Sequence, residues 1–319
     1  MTALPRVLLW TDTPGEYVSA VERAGLSHRV ALETLGRKEL PSEDQRAEAV
    51  AMLGWGVPEG VLPTMPKLRW AQSLTAGVEG WLGLPDLPEG LLLTCARGTH
   101  RNSMPENILG ALFHITKPYA LAAESQREGK WVRRMATPLG GKTLGILGLG
   151  AIGQDVARLA SALGMRVVGT RRGGAPVAGV AEIFPPGQIA SVLAQSDFVL
   201  LLLPATAETD KIINAGSLSA MKSTAWLLNF GRGHLIDDDD LIAAVAGKQI
   251  AGAILDVFRE EPLAEGHAFW TTEGIQVLPH IGGGHPERDV VVADLFADNL
   301  GRFLDGRKLR ELVDRSAGY

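Results

Sequence analysis

The stretch KTLGILGLGAIG, residues 142–153, constrains this chain more than any other. Residues 144–147 form a short apolar run that reads as a parallel strand buried on both faces. The run breaks at Gly148, Gly150 and Gly153 and continues as a helical pattern through Leu163. Gly148 permits the tight turn out of the strand. Gly150 lets the backbone approach a pyrophosphate, and Gly153 lets the helix pack closely on the sheet. The helix start, with Ala151 and Ile152, offers unpaired N–H groups and the positive end of a helix dipole to phosphates. A second strand over 166–169 completes the context that separates a dinucleotide site from a chance glycine-rich turn.

The acidic residue that ordinarily ends that second strand and holds the ribose 2′-OH of NAD is missing. Thr170, Arg171 and Arg172 stand there, followed by two glycines. A guanidinium cannot accept from a hydroxyl, but it pairs with a 2′-phosphate in a charge-assisted fork. The expected cofactor is therefore NADP(H), with NAD(H) as the alternative if the two arginines are merely solvated.

At 319 residues the chain is long enough for two domains. Its 46% hydrophobic and 21% charged residues are ordinary globular values, so it can bury sizeable cores. The net charge of −5, without a long basic block, argues against nucleic acid as a partner. The lone cysteine, Cys95, rules out an intrachain disulfide framework and fits a reducing, cytoplasmic setting. No basic segment followed by a long apolar core opens the sequence, and no run approaches the roughly 20 apolar residues of a membrane span.

Strands are expected over 7–10, 28–32, 49–53, 68–73 and 91–94, with a helix over 16–24. This alternation implies a parallel sheet with crossover helices. The loops at 54–56 and 74–78 lie at carboxyl ends of strands, where open parallel sheets bind ligands. The second, rich in small residues, reads either as a backbone anion site or as an ordinary turn. Ser103, Pro105 and Glu106 mark the start of a helix running to a break at Pro118, a candidate crossing between domains. Residues 128–134 form a polar connector around Trp131, either a dimer arm or a loop whose indole folds back onto the core. Further strands are expected over 197–204, 225–229, 250–256 and 275–280, and a helix over 289–303 that packs back on the first domain. The acidic run 237–240 reads as the cap and first turn of a helix over 241–246. Four consecutive side chains point around a helix, not at one ion, so no metal site is expected.

Three residues at strand ends carry the chemistry of a 2-oxo acid reductase: Arg232, Glu261 and His280. A cation must hold the substrate carboxylate and polarise the carbonyl, which suits the planar fork of arginine. An acid must protonate the carbonyl oxygen as hydride arrives at carbon, and histidine titrates in the right range. A carboxylate must orient that imidazole and favour its protonated form. Spacing alone does not bring the three together, and each singly has a bland structural reading.

With these residues in place the chain resembles the D-2-hydroxyacid dehydrogenase family over nearly its whole length. The matching segments are residues 148–153, LPATAET at 203–209, NFGRG at 229–233, LDVFREEPL at 255–263 and PHIGG at 279–283. The resemblance implies an α/β fold of two doubly wound parallel-sheet domains, a Rossmann cofactor domain over 98–283 inserted into a flavodoxin-like substrate domain of 1–97 plus 284–319. It implies Arg232 as the substrate arginine, His280 as the proton donor or acceptor and Glu261 as its partner. Ala76, Gly77 and Val78 become the amides of a carboxylate-binding loop. Leu203, Pro204, Thr209, Phe230, Gly231, Asp256 and His280 join the expected cofactor contacts. A small 2-oxo or 2-hydroxy acid is the implied substrate, and a homodimer through the cofactor domain the implied assembly.

Arg171 and Arg172 resemble NADPH-dependent members, including glyoxylate/hydroxypyruvate reductases, and Trp55 resembles a pocket wall of that subgroup, with a buried core position as the alternative. Thr75, Glu79 and residues 283–286 depart from commoner versions of the family pattern. Phosphoglycerate and bulkier 2-oxo acids remain alternative substrates. A non-catalytic dinucleotide-sensing corepressor remains an alternative function. Formate dehydrogenases, by resemblance, carry glutamine where this chain has Glu261.

Overall fold

The computed structural model describes residues 3–318. The chain divides into two compact units, one formed by the residues up to Thr99 with those from His285 onward, the other by His100–Gly284.

The first unit begins β1 (Arg6–Trp10), α1 (Pro14–Arg23), β2 (Ala31–Leu35), α2 (Glu43–Glu48), β3 (Ala49–Gly54), β4 (Trp70–Ser73), α3 (Glu79–Leu82) and β5 (Leu92–Thr94). All strand pairs are parallel, in the order β2-β1-β3-β4-β5. Val7, Leu8 and Leu9 of β1 are wholly buried, as a central parallel strand covered on both faces requires. The second strand lies at 31–35 where the sequence suggests 28–32. The ladder from Arg6↔Ala31 to Trp10↔Leu35 sets its position. On this edge only Leu35 is buried, so the apolar pattern that would mark the strand is absent. Helix α2 has no buried residue and hence no periodic signal. A reciprocal cap forms it, with the Ser42 hydroxyl accepting from the Gln45 amide at 3.2 Å and the Gln45 side chain accepting from the Ser42 amide at 2.8 Å.

The second unit contains α4 (Met104–Thr116), α5 (Tyr119–Arg127), β6 (Thr143–Leu147), α6 (Ala151–Ala162), β7 (Arg166–Thr170), β8 (Glu182–Phe184), α7 (Ile189–Gln195), β9 (Phe198–Leu201), α8 (Ala215–Ser219), β10 (Trp226–Asn229), α9 (Asp238–Ala246), β11 (Gly252–Leu255) and β12 (Ile275–Val277). Its seven strands are parallel in the order β12-β11-β10-β9-β6-β7-β8. The order reverses between β6 and β9, which places the glycine loop at the switch point of a doubly wound sheet. The break between units falls ahead of α4, and the helix packs on α6 within the second unit instead of crossing between domains. Ser103 sits before α4, yet its hydroxyl donates to the Gly284 carbonyl at 3.1 Å and does not cap the helix. Asp237 does cap α9, accepting from the Asp240 amide at 3.2 Å. Strands β9, β11 and β12 stop short of the expected ends, because the following residues leave the sheet as the loops that carry the candidate site.

After His285 the chain adds α10 (Arg288–Leu304) to the first unit. Phe296 stacks on Trp70 at 5.4 Å between ring centres and meets Tyr17 edge-on at 6.3 Å. A buried polar network fastens the same helix: Asn299 donates to Gln72 at 3.1 Å, Thr94 donates to Gln72 at 2.7 Å, and the Trp70 indole donates to Thr94 at 2.8 Å. Among the described residues no helix is long and apolar enough to cross a membrane.

Candidate active site

The glycine loop of the second unit assigns each glycine a distinct environment. Gly148 has φ +109°, and a Cβ there would lie 2.8 Å from the Leu202 carbonyl oxygen. A Cβ on Gly153 would lie 2.4 Å from the Gly148 carbonyl oxygen. At Gly150 a Cβ would meet nothing within 4 Å, so the loop is open where a pyrophosphate would approach and closed where chain packs on chain. Helix α6, twelve residues long, begins immediately after Gly150. The Thr170 hydroxyl accepts from the Gly148 amide at 3.2 Å and so belongs to the loop's own support. Arg171 and Arg172 leave the end of β7 beside this loop, Arg171 half-buried and Arg172 exposed with Glu208 at 3.6 Å. The residues present fit a dinucleotide.

Neighbouring strand ends carry the other expected cofactor contacts. Thr209 donates to the Pro204 carbonyl at 2.6 Å and accepts from the Thr206 amide at 2.9 Å, fixing the turn that carries Leu203 and Pro204. Phe230 and Asp256 are buried, at 3% and 1% exposure, so their side chains support the loops from beneath. Gly231 docks under β9, where a Cβ would come 3.0 Å from the Leu203 carbonyl.

His280 and Glu261 meet. His280 Nδ1 lies 2.6 Å from Glu261 Oε2, and the second carboxylate oxygen accepts from the Phe258 amide at 2.9 Å. Glu261 is thus held at both oxygens and fixes the ring through Nδ1, which leaves Nε2 as the atom for proton exchange with a substrate. The His280 side chain is 55% exposed, so a small molecule can reach it.

Its backbone sits in the left-handed region, φ +53°, and the turn beyond it is clamped within the second unit. Asp256 accepts from the Ile281 amide at 2.8 Å and the Gly282 amide at 2.9 Å. Asn107 donates to the Gly282 carbonyl at 2.9 Å, and His100 Nδ1 lies 2.8 Å from the Gly283 carbonyl. Burial pushes the Asp256 carboxyl up, against the opposing pull of the two amides. A Cβ on Gly282 would strike Asp256 Oδ2 at 2.6 Å and the Phe230 ring at 2.7 Å.

Arg232 follows β10 on the same edge of the sheet. Its Nη1 donates to the Gly231 carbonyl at 2.7 Å, and its own carbonyl accepts from Asn229 at 2.9 Å. The next residue, Gly233, presses on the chain that carries Glu261, since a Cβ there would lie 1.9 Å from the Phe258 carbonyl carbon. Arg259 ties the two segments from the other side, donating to the His234 and Ile236 carbonyls, each at 2.9 Å. The arginine loop and the glutamate loop are therefore one packed body.

In the first unit, residues 74–78 leave β4 and turn into α3. Leu74 donates to the Gly54 carbonyl at 2.9 Å, and Thr75 is braced by the Ser73 hydroxyl at 2.9 Å. Among the described residues no hydrogen bond engages the amides of Ala76, Gly77 and Val78; the first two residues are half-buried and Val78 is buried. Trp55 is half-buried at the end of β3, on the edge of the core and not within it.

Two arginines that sequence reasoning missed lie against Trp55. The Arg288 guanidinium sits 4.6 Å from the ring centre and donates through Nη2 to the Leu74 carbonyl, while Arg37 sits 5.1 Å from the ring centre. One signal was available: Arg288 is the first residue of α10, where the helix dipole disfavours a cation. There it pairs with Asp289 of the same turn as well as reaching Leu74. Arg37 follows an edge strand in an exposed loop and has no comparable mark.

The chain is similar to known proteins over most of its length. Residues 109–282 match the family described as D-isomer specific 2-hydroxyacid dehydrogenase, NAD binding domain. A glyoxylate reductase of Pyrococcus furiosus is 32% identical over 83% of this chain and 82% of its own length. Among solved structures, a D-isomer specific 2-hydroxyacid dehydrogenase of Xanthobacter autotrophicus, in complex with NADPH and MES, superposes with a TM-score of 0.88 at 26% identity, covering 99% of this chain and 100% of that one. An NADPH-dependent glyoxylate/hydroxypyruvate reductase of Sinorhizobium meliloti, in complex with NADP and sulfate, superposes with a TM-score of 0.85 at 26% identity, covering 99% of this chain and 100% of that one. The chain belongs to the D-isomer specific 2-hydroxyacid dehydrogenase family and is an oxidoreductase with a Rossmann NAD(P)-binding domain.

Proposed function

We propose that the protein reduces a small 2-oxo acid of the glyoxylate/hydroxypyruvate type to the D-2-hydroxy acid, with NADPH preferred over NADH. The second unit acts as the cofactor domain and the first as the substrate domain. The observation that carries the reading is the 2.6 Å pairing of His280 with Glu261 on the loops beside the glycine cradle.

The nicotinamide, when bound, supplies the hydride to the substrate C2. Arg232 of the second unit holds the substrate carboxylate and polarises the carbonyl; in the first unit the loop of Ala76, Gly77 and Val78 is the substrate-binding segment proposed. His280 delivers a proton from Nε2 to the carbonyl oxygen, and Glu261 keeps the ring in register throughout. An absorbance assay at the nicotinamide band, with glyoxylate, hydroxypyruvate, pyruvate and phenylpyruvate and either cofactor, tests the reading. Absence of oxidation with every acid would dismiss it.

Arg171 is the residue proposed to read the 2′-phosphate, with Arg172 beside it. Arg171→Asp is expected to lower the NADPH-to-NADH ratio of kcat/KM at least tenfold, the factor that about 1.4 kcal/mol supplies. A wild-type preference for NADH, or an unchanged ratio in the variant, would remove the assignment.

The assembly proposed is a homodimer through the second unit. Residues 130–138 form neither helix nor strand, and they present Trp131 at 93% and Met135 at 87% exposure. The indole does not fold back onto the core, and exposed apolar groups of that size mark an interface. Sedimentation velocity should find a dimer at micromolar concentration and monomers after Trp131→Ser with Met135→Ser. A monomeric wild type would refute it.

A further inference from the structure

We propose that the first unit holds a subsite for a second anionic group at the far end of the substrate, with Arg37 as its charge. It would let the site take 2-oxo acids bearing a distal carboxylate or phosphate beside those of the glyoxylate type. This inference rests on the reading of the protein as a 2-oxo acid reductase.

The site is a cavity of about 230 Å³ lined by Trp10, Arg37, Trp55, Gly56, Val57 and Pro58. Strands β1 and β3 are adjacent in the order β2-β1-β3-β4-β5, and the connections leave them in opposite directions. The cavity therefore opens at the switch point of this sheet, beyond the carboxyl ends of the strands, where such sheets take ligands. Its volume lies below the usual range for an entire drug-sized ligand and suits one small group of atoms.

Arg37 is the charged side chain of the lining. It is exposed, among the described residues its guanidinium has no ion pair, and it lies 5.1 Å from the Trp55 ring centre. Trp10 contributes a wall, and its buried indole N–H has no partner among the described residues. No side-chain carboxylate lines the cavity. The Asp12 carboxylate nearby accepts from the Arg37 backbone amide at 2.8 Å, which fixes the loop. A planar guanidinium beside an aromatic wall suits an anion.

The cavity is also coupled to the carboxylate loop. Leu74 donates to Gly54, and Arg288 binds the Leu74 carbonyl and lies 4.6 Å from the Trp55 ring centre. Trp55 thus touches two guanidiniums, one reaching the loop of residues 74–78 and one lining the cavity. Adjacent strand ends are about 4.8 Å apart. A substrate whose C1 carboxylate sits on the amides of Ala76, Gly77 and Val78 needs only a few carbons to bring a second anion to Arg37.

The test compares 2-oxoglutarate and oxaloacetate, as distal carboxylates, and 3-phosphohydroxypyruvate, as the phosphate, with glyoxylate and hydroxypyruvate, using the full chain with NADPH. Wild type should accept at least one dianion. Arg37→Met, which keeps an apolar cover for Trp55, should lower the dianion-to-glyoxylate ratio about tenfold through KM, and Arg37→Lys should recover part of it. Calorimetric titration of the same acids reads the subsite without turnover, and dianion binding should weaken about tenfold in Arg37→Met relative to glyoxylate. Lost hydride transfer with all acids alongside that binding difference would sink the reductase reading and keep the subsite. Turnover or binding with a ratio indifferent to Arg37→Met would overturn the subsite and keep the reductase.

Discussion

His280→Ala is expected to lower kcat by at least about 10²-fold with any accepted 2-oxo acid, the low end of what a positioned general acid contributes. The loss should fall on kcat more than on KM, because a proton delivered to the carbonyl oxygen matters in the transition state and little in the ground state. The variant should fold normally, since the imidazole is 55% exposed and its removal opens no core cavity. The left-handed backbone at this position adds some strain for any residue but glycine, including the wild type. Glu261→Gln should give a milder defect of the same kind. It removes the charge facing Nδ1 and leaves an amide that can still engage the Phe258 N–H, now at 2.9 Å from Oε1. Stopped-flow measurement of single-turnover NADPH oxidation separates the chemical step from product release. A His280→Ala enzyme with a near-normal single-turnover rate would exclude this imidazole as the acid.

The glycine motif, the alternating strands and the Arg232, Glu261 and His280 segments were legible in the sequence because each leaves a local mark. A buried strand shows as an apolar run, and a phosphate loop as glycines at fixed spacing. The pairing of His280 with Glu261 was legible only through family resemblance, since no spacing rule brings residues nineteen positions apart to 2.6 Å. Strand β2 was displaced by three residues, because an edge strand with one buried side chain carries no alternation. The short β8 and the polar α2 left no hydrophobic pattern at all. What stayed hidden in the site was its support. Asp256 beneath the turn at 281–282, Gly233 against Phe258 and Arg288 across Trp55 act through contacts between distant segments.

Arg232→Ala should reduce kcat/KM by at least about 10²-fold, from the loss of a charge-assisted fork to the substrate carboxylate together with carbonyl polarisation. Unlike the histidine variant, it should raise KM as well as lower kcat, since the carboxylate is bound in both ground and transition states. Arg232→Lys should recover little, because an ammonium is a point charge that cannot form two parallel hydrogen bonds. The structure adds a reason for that intolerance. Nη1 donates to the Gly231 carbonyl at 2.7 Å, so one arm of the fork orients the other. The loop is further pinned by Gly233, where not even a methyl group fits against Phe258. A lysine could keep the charge but not this internal brace, and its flexible stem would have to be ordered anew for each substrate. Steady-state kinetics across glyoxylate and hydroxypyruvate decides the matter. Unchanged kcat/KM in Arg232→Ala would remove this guanidinium from the proposed mechanism.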